Sequence, residues 1–272
     1  MLYPTISDFL NTRQQSRAIA NYDSVLNQMD DSEHLKMKNF AEDYNQKLYE
    51  VHAPLENYNA VLGYEQALDV TGTGIMGYIT IPKIDVQLPI YHGTSSEVLN
   101  VAVGHLQGSS LPIGGVNTHA VISAHRGLPS AKLFSDLDRI DIGDTFEITV
   151  LNDVIRYSVD EINVVTPDDL SKIQIVEGRD LVTLITCTPY GINTHRLLVR
   201  GTRIETTNEV RSVRVGAEAI QVEPTIVACI IAVPFMTLIL ALIIIGIVRK
   251  RIARRNRARR LKSKNGGDYS EK

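Results

Sequence analysis

Residues 181–204 read LVTLITCTPYGINTHRLLVRGTRI. Two β-branched, apolar runs, LVTLIT and HRLLVRGTRI, flank a stretch of Pro, Gly, Asn and Thr, which is how two strands joined by a loop are written in sequence. Cys187 stands where the first run ends, and Arg196 lies at the opening of the second. The same texture extends back to Gly77: GYITI, VQLPIY, HAVISA, TFEITV and VIRYSVDEINVV follow one another, punctuated by Gly, Pro, Asn and Asp. Short strands at this spacing make a closed or sandwiched all-β domain, so the chain is expected to be mainly β over residues 75–206.

Upstream the period changes. Between Ile6 and Glu50 the apolar residues Phe9, Leu10, Ile19, Tyr22, Leu26 and Met29 recur at three- and four-residue steps among polar ones, which predicts two helices over 1–50. Asp30 reads as the N-cap of the second, with Glu33 as its capping-box partner. Residues 51–74, with Pro54, Gly63, Gly72 and Gly74, read as a connection holding at most a short helix.

Downstream, beyond a linker at 207–224, residues 225–248 (TIVACIIAVPFMTLILALIIIGIV) form an uncharged run matching the roughly 20 residues that cross a bilayer core. A transmembrane helix is expected there, with Cys229 inside it and a kink permitted at Pro234. The tail at 249–272 follows at once, and Arg249 to Lys264 holds ten Lys or Arg and no acid. Positive residues stay in the cytoplasm, so the β domain is expected outside the cell. The position of the tail directly after the span favours membrane electrostatics over a nucleic-acid arm. The net charge of -3 averages over this asymmetry. Met1-Leu2-Tyr3-Pro4 shows neither the charged start nor the apolar core of a signal peptide. Either the C-terminal run serves in export or the chain begins late.

Two cysteines in segments of unlike character, Cys187 and Cys229, do not make a disulfide framework. A lone thiol outside a membrane segment is open to oxidation, which argues mildly that it is used; a buried inert Cys is the alternative. Three reactive side chains fall at strand ends: His125 after AVISA, Cys187 after LVTLIT and Arg196 before LLVRG. An imidazolium or guanidinium favours the thiolate that a nucleophile requires, a His can protonate a leaving amine, and an Arg offers a permanent charged fork to a carbonyl or oxyanion. Singly, a turn histidine or an edge-covering arginine carries no chemistry; together they are complete for acyl transfer.

Residues 119–140 (HAVISAHRGLPSAKLFSDLDRI) and 181–204 resemble the two catalytic segments of the class C, pilus-polymerising sortases of Gram-positive bacteria. The TLITC element and the arginine nine residues after the cysteine fit sortases generally. Residues 81–93 (IPKIDVQLPIYHG), 103–127 (VGHLQGSSLPIGGVNTHAVISAHRG) and 188–196 (TPYGINTHR) narrow the resemblance to the pilus class. It implies an eight-stranded β-barrel preceded by helices, a C-terminal membrane helix and no metal or other cofactor. By the same resemblance Cys187 is the nucleophile, His125 the general acid and base, and Arg196 the group that orients substrate and stabilises the oxyanion. The substrates implied are pilins with LPxTG-like sorting signals, cut between Thr and Gly, held as a thioester and passed to a pilin lysine. The enzyme would be anchored in the cell membrane by one segment or two, its catalytic domain outside and its tail in the cytoplasm.

One departure stands out. Class C sortases commonly carry a lid anchored by an Asp-Pro-aromatic motif, and no such tripeptide occurs between Glu42 and Gly77, where the only proline is in His52-Ala53-Pro54-Leu55. The lid is therefore missing, rebuilt from other residues, or replaced from outside the chain. Rival functions are a sortase that anchors proteins to peptidoglycan and a non-catalytic membrane-tethered pilin scaffold. His92, His105, His119 and His195 lack zinc-motif spacing. Asp136, Asp138, Asp141 and Asp144 lack the ligand order of a calcium loop and read as solvated turn acids. Gly72, Gly74, Gly114 and Gly115 are turn residues with no phosphate-binding helix after them.

Overall fold

The computed structural model describes residues 2–205 and, beyond them, 236, 237, 240, 244–247, 249 and 250. The chain divides into two compact units, Met1–Arg214 and Val215–Lys272. In the second, the described residues are helical. Apart from these few residues, the expected linker at 207–224, membrane span at 225–248 and basic tail at 249–272 lie outside the described residues. Among the described residues, no helix is long and apolar enough to cross a membrane.

The first unit holds two N-terminal helices, α1 (Leu2–Gln28) and α2 (Asp31–Glu50), and a one-turn helix α3 (Ser96–Leu99). Its strands are β1 (Ile75–Ile81), β2 (Val86–His92), β3 (Val103–His105), β4 (Thr118–Ser123), β5 (Thr145–Val150), β6 (Asp153–Val165), β7 (Asp180–Thr188) and β8 (His195–Arg203). They close into a barrel in the order β1-β2-β3-β4-β7-β8-β6-β5, the last strand returning to pair with β1. Two neighbours run parallel, β2 with β3 and β4 with β7. The first of these parallel pairs is joined across the α3 connection, and the second encloses β5 and β6 in its crossover. The all-β reading thus holds as a closed eight-strand barrel.

Side-chain alternation sorts each strand into two faces. Ile79 and Ile81 of β1, Leu88 and Ile90 of β2, Ala120 and Ile122 of β4, Phe146 and Ile148 of β5, Val182 and Leu184 of β7, and Leu197 and Val199 of β8 join one buried core. The intervening residues of three neighbouring strands therefore share the outer face: Val121 and Ser123 of β4, Ile185 and Cys187 of β7, Arg196 and Leu198 of β8. β3 has no counterpart among the apolar runs of the sequence. It is only Val103-Gly104-His105, buried throughout and held by parallel pairing to Ile90, Tyr91 and His92.

The same core takes in Tyr22 and Leu26 of α1 and Ala41, Tyr44 and Leu48 of α2. The Tyr22 hydroxyl donates to Met76 O at 3.0 Å and accepts from Leu151 N at 3.0 Å, so a single buried group ties α1 to β1 and to the β5–β6 turn. Asn45 of α2 closes a two-way amide clamp on Leu111, donating at 3.1 Å and accepting at 2.7 Å. Asp30 caps α2 as expected, its carboxylate accepting from Glu33 N at 2.8 Å. The early part of α1 departs from its apolar reading, for Phe9 and Leu10 are exposed. Its polar face turns to the barrel instead: Asp8 accepts from Lys132 N, Asn11 donates to Ser130 O and Gln15 donates to Val101 O.

Candidate active site

Strand register assembles the site. In the antiparallel β7–β8 pair, Cys187 stands directly opposite Arg196. On the other side of β7, the parallel pair aligns Ser123 with Ile185, and two further residues along each chain bring His125 level with Cys187. The extension is bonded in place: Ala124 N donates to Ile185 O at 3.1 Å, the Thr186 hydroxyl donates to Ala124 O at 2.9 Å, and Phe134 N donates to His125 O at 3.2 Å. Imidazole, thiol and guanidinium thus come from the ends of three adjacent strands and lie in one row across the outer face. Cys187 and His125 are partly exposed. The Arg196 Nη1 donates to Asn193 O at 3.3 Å and His195 O at 3.1 Å, which fixes the guanidinium to its own loop. That loop turns on Pro189, whose carbonyl accepts from Ile192 N and Asn193 N; the Thr188–Pro189 peptide is cis.

Beside this row the outer face carries a small buried apolar cluster. Val121, Leu198 and Ile173 are buried there, with Leu55, Leu106, Val165, Leu170 and Ile185 packed against them. Ile173 and Leu170 come from the β6–β7 connection, and Leu55 comes from the connection after α2. Pro54 is buried, and the Pro54 carbonyl, Leu55 Cα and Tyr58 Cβ run so close to Gly108 that a Cβ there would lie 2.7, 3.1 and 3.0 Å from them. Ala53 takes a positive φ of 50°, and its carbonyl accepts from Glu56 N and Asn57 N, which turns this strap of chain. The strap therefore packs against Gly108 and, through Leu55, against the Val121, Ile173 and Leu198 cluster.

Among the described residues no side-chain hydrogen bond or ion pair ties 53–58 to the barrel, so the strap should open readily. Leu55→Ser removes most of a half-buried leucine, about 1 kcal/mol of burial, so Cys187 is expected to react about fivefold faster with a small methanethiosulfonate in the full chain. An unchanged rate would mean that the strap does not screen the thiol.

The remaining histidines are bound up in the structure. His105 is fully buried, its Nε2 donating to Ser110 O at 2.8 Å and its Nδ1 accepting from the Tyr64 hydroxyl at 3.0 Å. Burial pushes its pKa down to about 4, against the opposing pull of the Ser110 carbonyl. His119, on the outside of β4, donates from Nδ1 to Gln174 O at 2.7 Å and meets the Thr183 hydroxyl through Nε2 at 2.7 Å; burial again lowers its pKa to about 4. His92 lies between the Gly74 and Ala67 carbonyls, and His195 contacts Thr194. Among the described residues, no group of three His, Cys, Asp or Glu could hold a metal. The acidic cluster is spent on ion pairs, Asp136 with Lys132 and Arg139, Asp138 with Arg126, and Asp141 and Asp144 with Lys83.

Register thus brings Cys187, His125 and Arg196 to neighbouring strand ends, an arrangement compatible with cysteine acyl transfer. The Sortase domain family matches residues 79–204. The crystal structure of sortase C1 from Streptococcus agalactiae is 48% identical, covering 70% of this chain and 100% of that one, with a TM-score of 0.63. Streptococcus pneumoniae sortase C is 44% identical, covering 70% and 98%, also at 0.63. A curated sortase A from Streptococcus agalactiae is 33% identical over 117 residues, 42% of this chain and 47% of that protein, so the chain spans about half the length of this relative. The chain belongs to the sortase family of cysteine transpeptidases. The solved structures it resembles are class C sortases.

Proposed function

We propose that the chain is a pilus-polymerising sortase in which Cys187, His125 and Arg196 carry the reaction. The observation that supports this reading is strand register, which pairs Cys187 with Arg196 and pairs Ser123, two residues before His125, with Ile185, two residues before Cys187. The Cys187 sulfur attacks the Thr carbonyl of an LPxTG-like signal, and the negative charge gathering on the carbonyl oxygen is met by Arg196. The Thr–Gly bond breaks, the glycine amine leaving with a proton from His125, and a thioester remains on Cys187. A pilin lysine amine then attacks the thioester, gives its proton to His125 and releases Cys187 as the thiolate, with a new isopeptide bond. The apolar cluster of Val121, Leu198 and Ile185, against which Leu55 of the strap packs, would suit the Leu-Pro part of the signal once the strap moves aside.

Support for pilins as substrates comes from the class C likeness, the pneumococcal relative being one with pilin substrates. The uncharged run at 225–248 and the basic residues after it support a membrane anchor, an extracellular catalytic unit and a cytoplasmic tail. The test is a gel assay of the full chain with a pilin bearing an LPxTG-like signal, beside Cys187→Ala. A ladder of covalent multimers made only by the unaltered chain is expected. Cleavage without a ladder would transfer the assignment to protein anchoring, and no reaction would leave a scaffold.

A further inference from the structure

The residue after His125 is a buried arginine that the acyl-transfer chemistry does not require. The Arg126 side chain is only 8% exposed and pairs with Asp138, while its guanidinium lies 5.7 Å from the centroid of the Tyr190 ring. Among the described residues its Nε has no hydrogen-bond partner. A buried guanidinium with an unmet N–H is a poor device for stability, since desolvating the charge offsets much of what its ion pair returns. Its neighbours show what it holds. Gly127 lies against the same ring, so closely that a Cβ there would fall 2.9 Å from Tyr190, and Gly127 N donates to the Ser135 hydroxyl at 3.1 Å. Tyr190 itself is 63% exposed, so little burial holds it in place apart from Arg126 and Gly127. It belongs to the β7–β8 loop, whose Asn193 and His195 carbonyls hold Arg196.

From this geometry we infer that Arg126 is a positioning residue, clamping Tyr190 so that the loop holding Arg196 keeps a fixed place beside His125. One side of the clamp is covalently next to the imidazole; the other is the loop that carries the guanidinium. The two groups that must meet one carbonyl and one leaving amine are thereby set against each other across Cys187. The inference rests on the proposed acyl transfer. A cation over an aromatic face holds a ring in both distance and tilt while leaving its outer side open, which suits a loop at the mouth of a peptide groove.

The experiment compares Arg126→Met, Arg126→Lys, Tyr190→Ala, Tyr190→Phe and the Met/Ala double variant in the full chain. It reads single-turnover thioester formation with a sorting-signal peptide, the thermal midpoint, and the pH profile of Cys187 alkylation by iodoacetamide. Arg126→Met and Tyr190→Ala should each slow thioester formation about tenfold, mostly in kcat, with the thermal midpoint within a few degrees of the parent. The double variant should be no slower than either alone, because both remove one clamp. Tyr190→Phe, which keeps the ring, should retain most of the rate, and Arg126→Lys should restore part of it. The alkylation profile should shift in Arg126→Met, since the charged groups flanking the thiol are no longer held in place. Unchanged rates, multiplying losses in the double variant, or a rate loss that follows the unfolded fraction would each overturn the inference. If no sorting peptide acylates the parent chain, the proposed function fails, and the alkylation profile still decides whether Arg126 positions the site.

Discussion

Arg196→Lys is expected to lower the rate of thioester formation by about a hundredfold to a thousandfold, the range seen when an oxyanion donor is removed, with KM changed no more than a fewfold. The guanidinium is tethered through Nη1 to Asn193 O and His195 O. Among the described residues its Nη2 and Nε have no such bond, leaving them for the reacting carbonyl oxygen. A lysine brings a charge without the planar fork, and it cannot keep both loop carbonyls and a substrate oxygen in one plane. The interaction strengthens as charge develops on that oxygen, so the loss belongs in kcat. Because Arg196 is only partly buried and has no ion pair among the described residues, the thermal midpoint should hardly move. Rapid-quench kinetics on the full chain with a sorting-signal peptide measures the step; a lysine variant within threefold of the parent would show that any nearby charge suffices.

The second large effect is on stability. His105 and His119 are held neutral with folded pKa values of about 4, while in the unfolded chain each titrates near 6.5. Between these values the unfolded chain binds more protons than the folded one, so stability rises with pH across the window. Their contribution is complete above about pH 6.5 and is lost as pH falls to about 4, at about 3 kcal/mol for each histidine. Urea midpoints of the full chain should therefore drop steeply from pH 7 to pH 4.5. The His105→Gln and His119→Gln double variant, less stable at pH 7, should show a nearly flat profile over the same range. A double variant retaining the parent's slope would assign the acid sensitivity to other groups.

How far these features could be read beforehand varies with what each depends on. The long apolar strands and the cap at Asp30 are local matters, fixed by period and by one side-chain oxygen, and they were legible. β3 was not, because three residues are too few to show a period and its burial comes from its neighbours. Phe9 and Leu10 misled for the opposite reason: they fit the helical stripe, but three hydrogen bonds from Asp8, Asn11 and Gln15 turn the polar face inward. His125, Cys187 and Arg196 stood out as motif residues, and the register shows how their strand ends come to be neighbours. The strap read as a connection or lid equivalent, and its seat was not legible because Gly108 and the Val121, Ile173 and Leu198 cluster are distant in sequence. Arg126 and Tyr190 lay in full view within the quoted segments. Only the crossing of two strand-end loops reveals that they touch.

The parallel pairing of β4 with β7 also bears on the order in which the chain can become reactive. Such a pairing waits on everything between its strands, and contacts of this sequence separation form late in folding. β8 ends at Arg203, near the last of the residues described for this unit. A chain emerging N-terminus first therefore displays its histidine long before its cysteine, and meets its arginine last of all. Domains fold as units once their residues are available, so the nucleophile gains its partners only when the barrel is whole. In the proposed reaction, the enzyme would then be acylated only after β8 has joined the barrel.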